Sequence, residues 1–135
     1  VRRRGATAAE LAIAAPLLFL LVFGMIEIGR LVMVRQALSN SARIGCREAA
    51  LASTRNSDDV EAVVRAQMAS VVPDAFNVDK VTVSSNPADL AAIQPGNPVT
   101  VVVGVDFSEV SWLPHSLVDS GGTLVLTGSS TQRRE

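Results

Sequence analysis

Of 135 residues, one is cysteine and one is histidine. A lone Cys46 excludes an intramolecular disulfide, and with His115 alone beside it no Cys/His zinc cluster can be assembled. The cysteine count by itself assigns no redox compartment. Excess positive charge is also missing, since twelve Lys and Arg stand against thirteen Asp and Glu for a formal charge of -1. No nucleic-acid partner is therefore indicated. There is no G-x-S-x-G elbow, no spaced D-x-[DN]-x-[DN]-G calcium loop, no internal repeat and no low-complexity tract. The length leaves room for one domain plus an anchor, because domains run to about 100–150 residues.

What is present begins with Arg2, Arg3 and Arg4, then Gly5, then an uncharged run from Leu11 to Ile26, LAIAAPLLFLLVFGMI. A bilayer core of about 30 Å needs roughly twenty helical residues, and Ala6–Ala9 with Ile28–Gly29 bring the run to that length. Glu10 and Glu27 are then the anomalies to explain. A cleavable secretory signal is the alternative, but no A-x-A-like site directly follows the apolar run. Pro16 removes one amide donor and crowds the carbonyl of Ala12, which membrane helices tolerate with a kink.

Past Ile26 the spacing becomes that of an amphipathic helix. Leu31, Val34, Leu38, Ala42, Gly45, Ala49 and Ala52 share one face, and Arg35, Ser39, Arg43 and Arg47 form a polar stripe on another. The simplest reading is one long helix, hydrophobic and then amphipathic. Cys46 lies among its small residues, so a buried free thiol is expected and an intermolecular disulfide is the alternative.

A second helix is predicted from the cap residues Asn56 and Ser57, the helix-start acids Asp58, Asp59 and Glu61, and the face Val60, Val64, Met68 and Val71, with Pro73 ending it. The period then drops to two. Val78–Ser84 is a short strand candidate, and Val99, Val101, Val103, Val105 and Phe107 form the strongest strand signal, with that set expected to face inward. A last strand is expected from about Leu124 to the Arg133–Arg134–Glu135 end, and Ser85–Pro98 and Glu109–Gly122 read as loops. Helices first and strands after predict an α+β fold: a long N-terminal hydrophobic helix continuing into an amphipathic one, a second helix, and a small antiparallel sheet of about three strands.

Four arrangements invite chemistry and three of them fail. Ser111, His115 and Asp119 are spaced by four, but Pro114 interrupts any helix that would align them. Asp58 and Asp59 are explained as helix-start acids rather than cation ligands. Glu27 and Arg30, three apart, suit a solvated interfacial pair.

The fourth arrangement is RRRGATAAELAIAAPLLFLLVFGMIEIGR, and in this stretch the chain resembles the TadE-like family of tight-adherence (Flp pilus) systems. In that family, as in type IV pilins, a prepilin peptidase cuts after a glycine, and a glutamate stands fifth in the mature chain. Gly5 and Glu10 match, which would make Ala6 the new N-terminus. The resemblance extends to Pro16, to Glu27–Ile28–Gly29–Arg30 and to the closing Arg133–Arg134–Glu135, whereas Leu11 stands where an aromatic residue is frequent.

The spacing has a physical rationale. Cleavage creates an α-amino group, cationic at neutral pH, one helical turn from the Glu10 carboxylate. A carboxylate within a bilayer costs about 2.5 to 3.5 kcal/mol on insertion scales, so an amine, its own or a neighbour's, would offset that cost. The alternative is that Glu10 only marks the membrane surface of an ordinary anchor.

The resemblance implies a minor pseudopilin of a Tad/Flp pilus or secretion system, acting in assembly with a prepilin peptidase, an inner-membrane platform, an ATPase and other pilus components. The expected organisation is a leader at 1–5, a transmembrane helix at 6–30 and an extracytoplasmic α+β pilin-like domain at 31–135. Arginines flank both ends of the span, so charge bias does not orient it. The resemblance implies a leader at a cytoplasmic active site, hence a single-pass inner-membrane protein with a periplasmic domain that can be incorporated in a pilus. No catalytic residue, metal, cofactor or small-molecule substrate is expected. The competing reading is a generic membrane-anchored domain that binds an envelope partner.

Overall fold

The computed structural model describes residues 3–51, 53–54, 56–71, 77–111 and 124–135. It has an α+β fold, in the order α1 (Arg3–Ala50), α2 (Ser57–Val71), a 3₁₀ turn (Val78–Lys80), β1 (Thr82–Asn86), β2 (Pro98–Asp106), α3 (Phe107–Val110) and β3 (Val125–Arg133). The chain divides into two compact units, Val1–Val32 and Met33–Glu135. Helix α1 contributes to both and continues through Pro16.

In the first unit the side chains from Leu11 to Ile28 that carry apolar bulk are exposed, because no second element is there to cover them. In the second unit the same helix is amphipathic in fact as well as in pattern: Val34, Leu38, Ala42, Cys46 and Ala49 are buried and Arg35, Arg43 and Arg47 are exposed. Helix α2 starts at a formed cap, with the Asn56 side-chain oxygen accepting the Asp58 amide at 3.3 Å. It buries Val60, Val64 and Met68, while Val71, at its last turn, is exposed. Pro73, the expected helix stop, lies outside the described residues.

The three strands are antiparallel in the order β1-β2-β3. Central β2 sets Val103 opposite Val83 on one side and opposite Gly128 on the other. Its odd-numbered valines Val99, Val101, Val103 and Val105 all point inward and are at most 1 % exposed, as alternation requires. Each such side chain contributes about 1.5–3 kcal/mol when fully buried. Helix α1 covers this inner face. Gly128 of β3 approaches so closely that a Cβ there would lie 2.6 Å from backbone atoms of Leu38 and Ser39, and the Cys46 thiol donates to the Val99 carbonyl at 3.3 Å. Cys46 is thus a buried thiol with a local partner.

The structure departs from the period-two reading in three places. The strand expected at Val78–Ser84 starts at Thr82, because the Asn77 side chain accepts the Asp79 amide at 2.9 Å and turns Val78–Lys80 into a 3₁₀ helix. Ser85 and Asn86, read as loop, belong to that strand. Phe107 does not continue β2: the strand ends at Asp106, and Phe107 opens α3, half-buried, with its amide donating to the Leu124 carbonyl at 2.7 Å. Leu90 and Ile93, inside a stretch read as loop, are buried and join the core.

Candidate functional site

Gly5, Ala6 and Glu10 all fall in the first turns of α1. Ala6 and Glu10 are four positions apart, a rise of about 6 Å, so the two positions share one helix face. Glu10 is exposed, and so is most of the apolar surface after it: Leu11, Ile13, Leu17, Phe19, Leu20 and Phe23 are each more than half exposed. The helix is long and apolar enough to cross a bilayer, and none of its apolar window is buried within the protein. A soluble core helix would show the reverse. This segment is a candidate membrane anchor, carrying a carboxylate at its N-terminal end and half-buried Glu27 and Arg30 near its other end.

The other arrangements are not drawn into a site. Ser111 closes α3, while His115 and Asp119 lie outside the described residues. Asp58 and Asp59 sit exposed in the first turn of α2, where Asp58 accepts from the Asn56 amide side chain at 3.0 Å. Among the described residues no group of three or more His, Cys, Asp or Glu side chains is placed to hold a metal ion.

One cluster escaped the sequence reading altogether. Arg134, only 7 % exposed, donates to the Ala49 carbonyl at 3.3 Å and to the Thr54 carbonyl at 3.0 Å, and the Glu135 amide donates to the Ala50 carbonyl at 3.0 Å. Arg134 and Glu135 thus supply donors to Ala49 and Ala50, whose carbonyls the C-terminus of α1 leaves without intrahelical partners, and Arg134 also reaches Thr54 beyond that helix. A cationic side chain at that end also complements the helix dipole. Nothing in local spacing announces a contact across 85 residues.

Residues 5–47 match the family described as TadE-like protein. The resemblance carried by Gly5, Glu10, Pro16 and Glu27–Arg30 is therefore borne out over that segment, while the closing Arg133–Glu135 lies beyond it. No curated protein and no solved structure matches the chain.

Proposed function

We propose that this chain, TadE-like over residues 5–47, is a minor pseudopilin of a tight-adherence pilus or secretion system, cleaved after Gly5 by a prepilin peptidase and acting in assembly rather than catalysis. The observation that carries the reading is the unburied apolar surface of α1 directly behind a Gly-x4-Glu pair within the matched segment.

Each feature has a part in this proposal. The span holds the unprocessed chain in the inner membrane as a single pass, with the leader that ends at Gly5 facing the cytoplasm and residues 31–135 in the periplasm. Gly5 weakens a helix by about 1 kcal/mol relative to alanine, which on this reading eases access of the peptidase to the Gly5–Ala6 bond. After cleavage the Ala6 amine and the Glu10 carboxylate lie one turn apart. In a low-dielectric surrounding the amine of this copy or of a neighbour compensates the carboxylate, and that contact links processing to assembly. The inner-membrane platform and pilus components are the partners on this reading.

The test is the N-terminal mass of protein recovered from a host with an active prepilin peptidase. Chains beginning at Ala6 are expected, and Gly5→Val should leave them uncut. Exclusive recovery of chains retaining Arg2–Gly5 would sink the proposal and favour a generic anchored binding domain.

A further inference from the structure

Strand β3 forms one margin of the sheet, and the ladder fixes which of its backbone groups are left over. The Phe107 amide donates to the Leu124 carbonyl at 2.7 Å just before the strand, and the Arg134 amide donates to the Asn97 carbonyl at 2.9 Å just after it. Both bonds continue the β2–β3 register, so Leu126, Gly128, Ser130 and Gln132 turn their amides and carbonyls to β2. Val125, Thr127, Ser129, Thr131 and Arg133 turn theirs outward, and all five residues are exposed. By the same alternation β1 turns only Val83 and Ser85 outward, and Pro87 follows its last residue. Edges are ordinarily blunted by charge, proline or shortness, as β1 is, whereas β3 runs nine residues with no proline and no charge before Arg133.

Helix α1 lies over this margin. The Leu38–Ser39 peptide stands over Gly128, and the Ala49 and Ala50 carbonyls meet the Arg134 side chain and the Glu135 amide, so α1 and β3 run side by side in one direction. Helix α2 is on the other side of α1: it packs there at Gly45 and reaches toward β1, with Arg65 donating to the Val78 carbonyl at 3.0 Å. At 3.6 residues per turn, Arg35, Ser39 and Arg43 lie roughly 80°, 120° and 160° around α1 from Gly45, in the sense that leads to Cys46. The Cys46 thiol meets the Val99 carbonyl, which β2 turns toward β3. Arg35, Ser39 and Arg43 therefore form the flank of α1 that overhangs the open edge. Arg35 and Arg43 are exposed, and neither has an acidic partner among the described residues.

We propose that β3 accepts an added strand from a partner chain, an extended segment whose acidic side chains stand at i and i+4 and reach Arg35 and Arg43. The outward amides and carbonyls of β3 supply the affinity, and the two arginines select the sequence. The spacing follows from geometry: eight helical residues rise about 12 Å, and four strand residues span about 13 Å with both side chains on one face. The added strand runs antiparallel to β3, the more stable pairing per residue. A second copy joined β3 to β3 does not fit, because β3 carries no acid and that pairing brings the arginine flanks of both copies to one seam. This inference names a partner class beyond the assembly reading and does not depend on cleavage at Gly5.

The probe is a blocked nine-residue threonine peptide with glutamates at its third and seventh positions, titrated into the full chain in a nonionic detergent and followed by fluorescence anisotropy. It should bind at low salt, bind more weakly at high salt, and protect the Thr127, Ser129 and Thr131 amides from hydrogen exchange. Moving the second glutamate to the sixth position puts the carboxylates on opposite faces and should weaken binding by at least about tenfold, as should R35E/R43E. Ser129→Pro removes an outward donor and no ladder bond, and should weaken binding at every salt concentration. Circular dichroism checks that each variant is folded, and the comparison of the two peptides needs no variant. Absence of binding, equal binding of the two peptides, unchanged binding by R35E/R43E, or no protection at the three amides would each overturn the proposal. So would self-association of the full chain that Ser129→Pro abolishes while the probe fails to bind, which would give the edge to a second copy. Cleavage at Gly5 is read separately by N-terminal mass, so failure here and failure of the processing proposal are distinguishable.

Discussion

Arg134 is a charged side chain in a position where a small domain normally tolerates none, and its burial is explained by what it touches. Two carbonyls, of Ala49 and Thr54, accept from its guanidinium, and its own amide and carbonyl pair with Asn97 and Gly96. Among the described residues no carboxylate pairs with it, so the Ala49 carbonyl at the end of α1 and the Thr54 carbonyl beyond it supply the negative potential. Arg134→Ala leaves those carbonyls without their donor and should cost about 2 to 3 kcal/mol, read as a lower midpoint in a thermal melt. Arg134→Lys should recover only part of the loss, because a single ammonium lacks the fork that reaches both carbonyls. Gly128 makes the complementary case, where absence of a side chain is what matters. A methyl there meets helix backbone at 2.6 Å, which cannot rotate away, so Gly128→Ala should cost about 1 to 3 kcal/mol by the same measurement.

At the scale of elements, α2 is set by its cap as well as by its buried face of Val60, Val64 and Met68. Asn56→Ala removes the acceptor for the Asp58 amide and should destabilise by about 0.5 to 2 kcal/mol, seen as lost helical signal around the melting midpoint. Signals of this kind are local, which is why much of the fold was legible: a cap followed by acids, a helix-period face at Val34, Leu38 and Ala42, and the alternating valines of β2 each report on their own neighbourhood. The misplaced boundaries have local causes of another sort. The alternating pattern at Val78 does not reveal that the Asn77 side chain competes for the Asp79 amide. Phe107 continues the alternation in spacing, yet it stands where the chain leaves the sheet for α3. Contacts made between elements were not legible at all. Gly128 against Leu38, and Arg134 against Ala49, are set by tertiary packing across 85 or more residues, and no window of sequence contains both partners. The candidate residues divide in the same way: the reading of Gly5, Ala6 and Glu10 rests on a family resemblance and a spacing within one stretch of sequence, whereas the contacts of Arg134 with Ala49 and Thr54 emerge only from the fold.

At the scale of the whole molecule, the decisive question is whether Glu10 is a surface marker or a working charge. An exposed carboxylate at the start of a segment that offers only apolar surface is unfavourable for insertion, and replacing it should make the span easier to insert. Glu10→Gln keeps the side-chain length and removes the charge. For a simple anchor the consequence is neutral or favourable retention, with every interaction elsewhere on the chain unchanged. A pseudopilin separates the two readouts: membrane retention persists while association with pilus components falls. A tenfold fall corresponds to about 1.4 kcal/mol, a magnitude that one amine-carboxylate contact can supply when shielded from water and cannot when solvated. Retention, N-terminal mass and co-purification measured on both forms therefore locate the contact as well as detect it. A Gln variant that is cleaved at Gly5 and retained, yet co-purifies several-fold less, places the role of Glu10 after processing. Equal co-purification of the two forms would remove that role and leave Glu10 as a marker of the membrane surface.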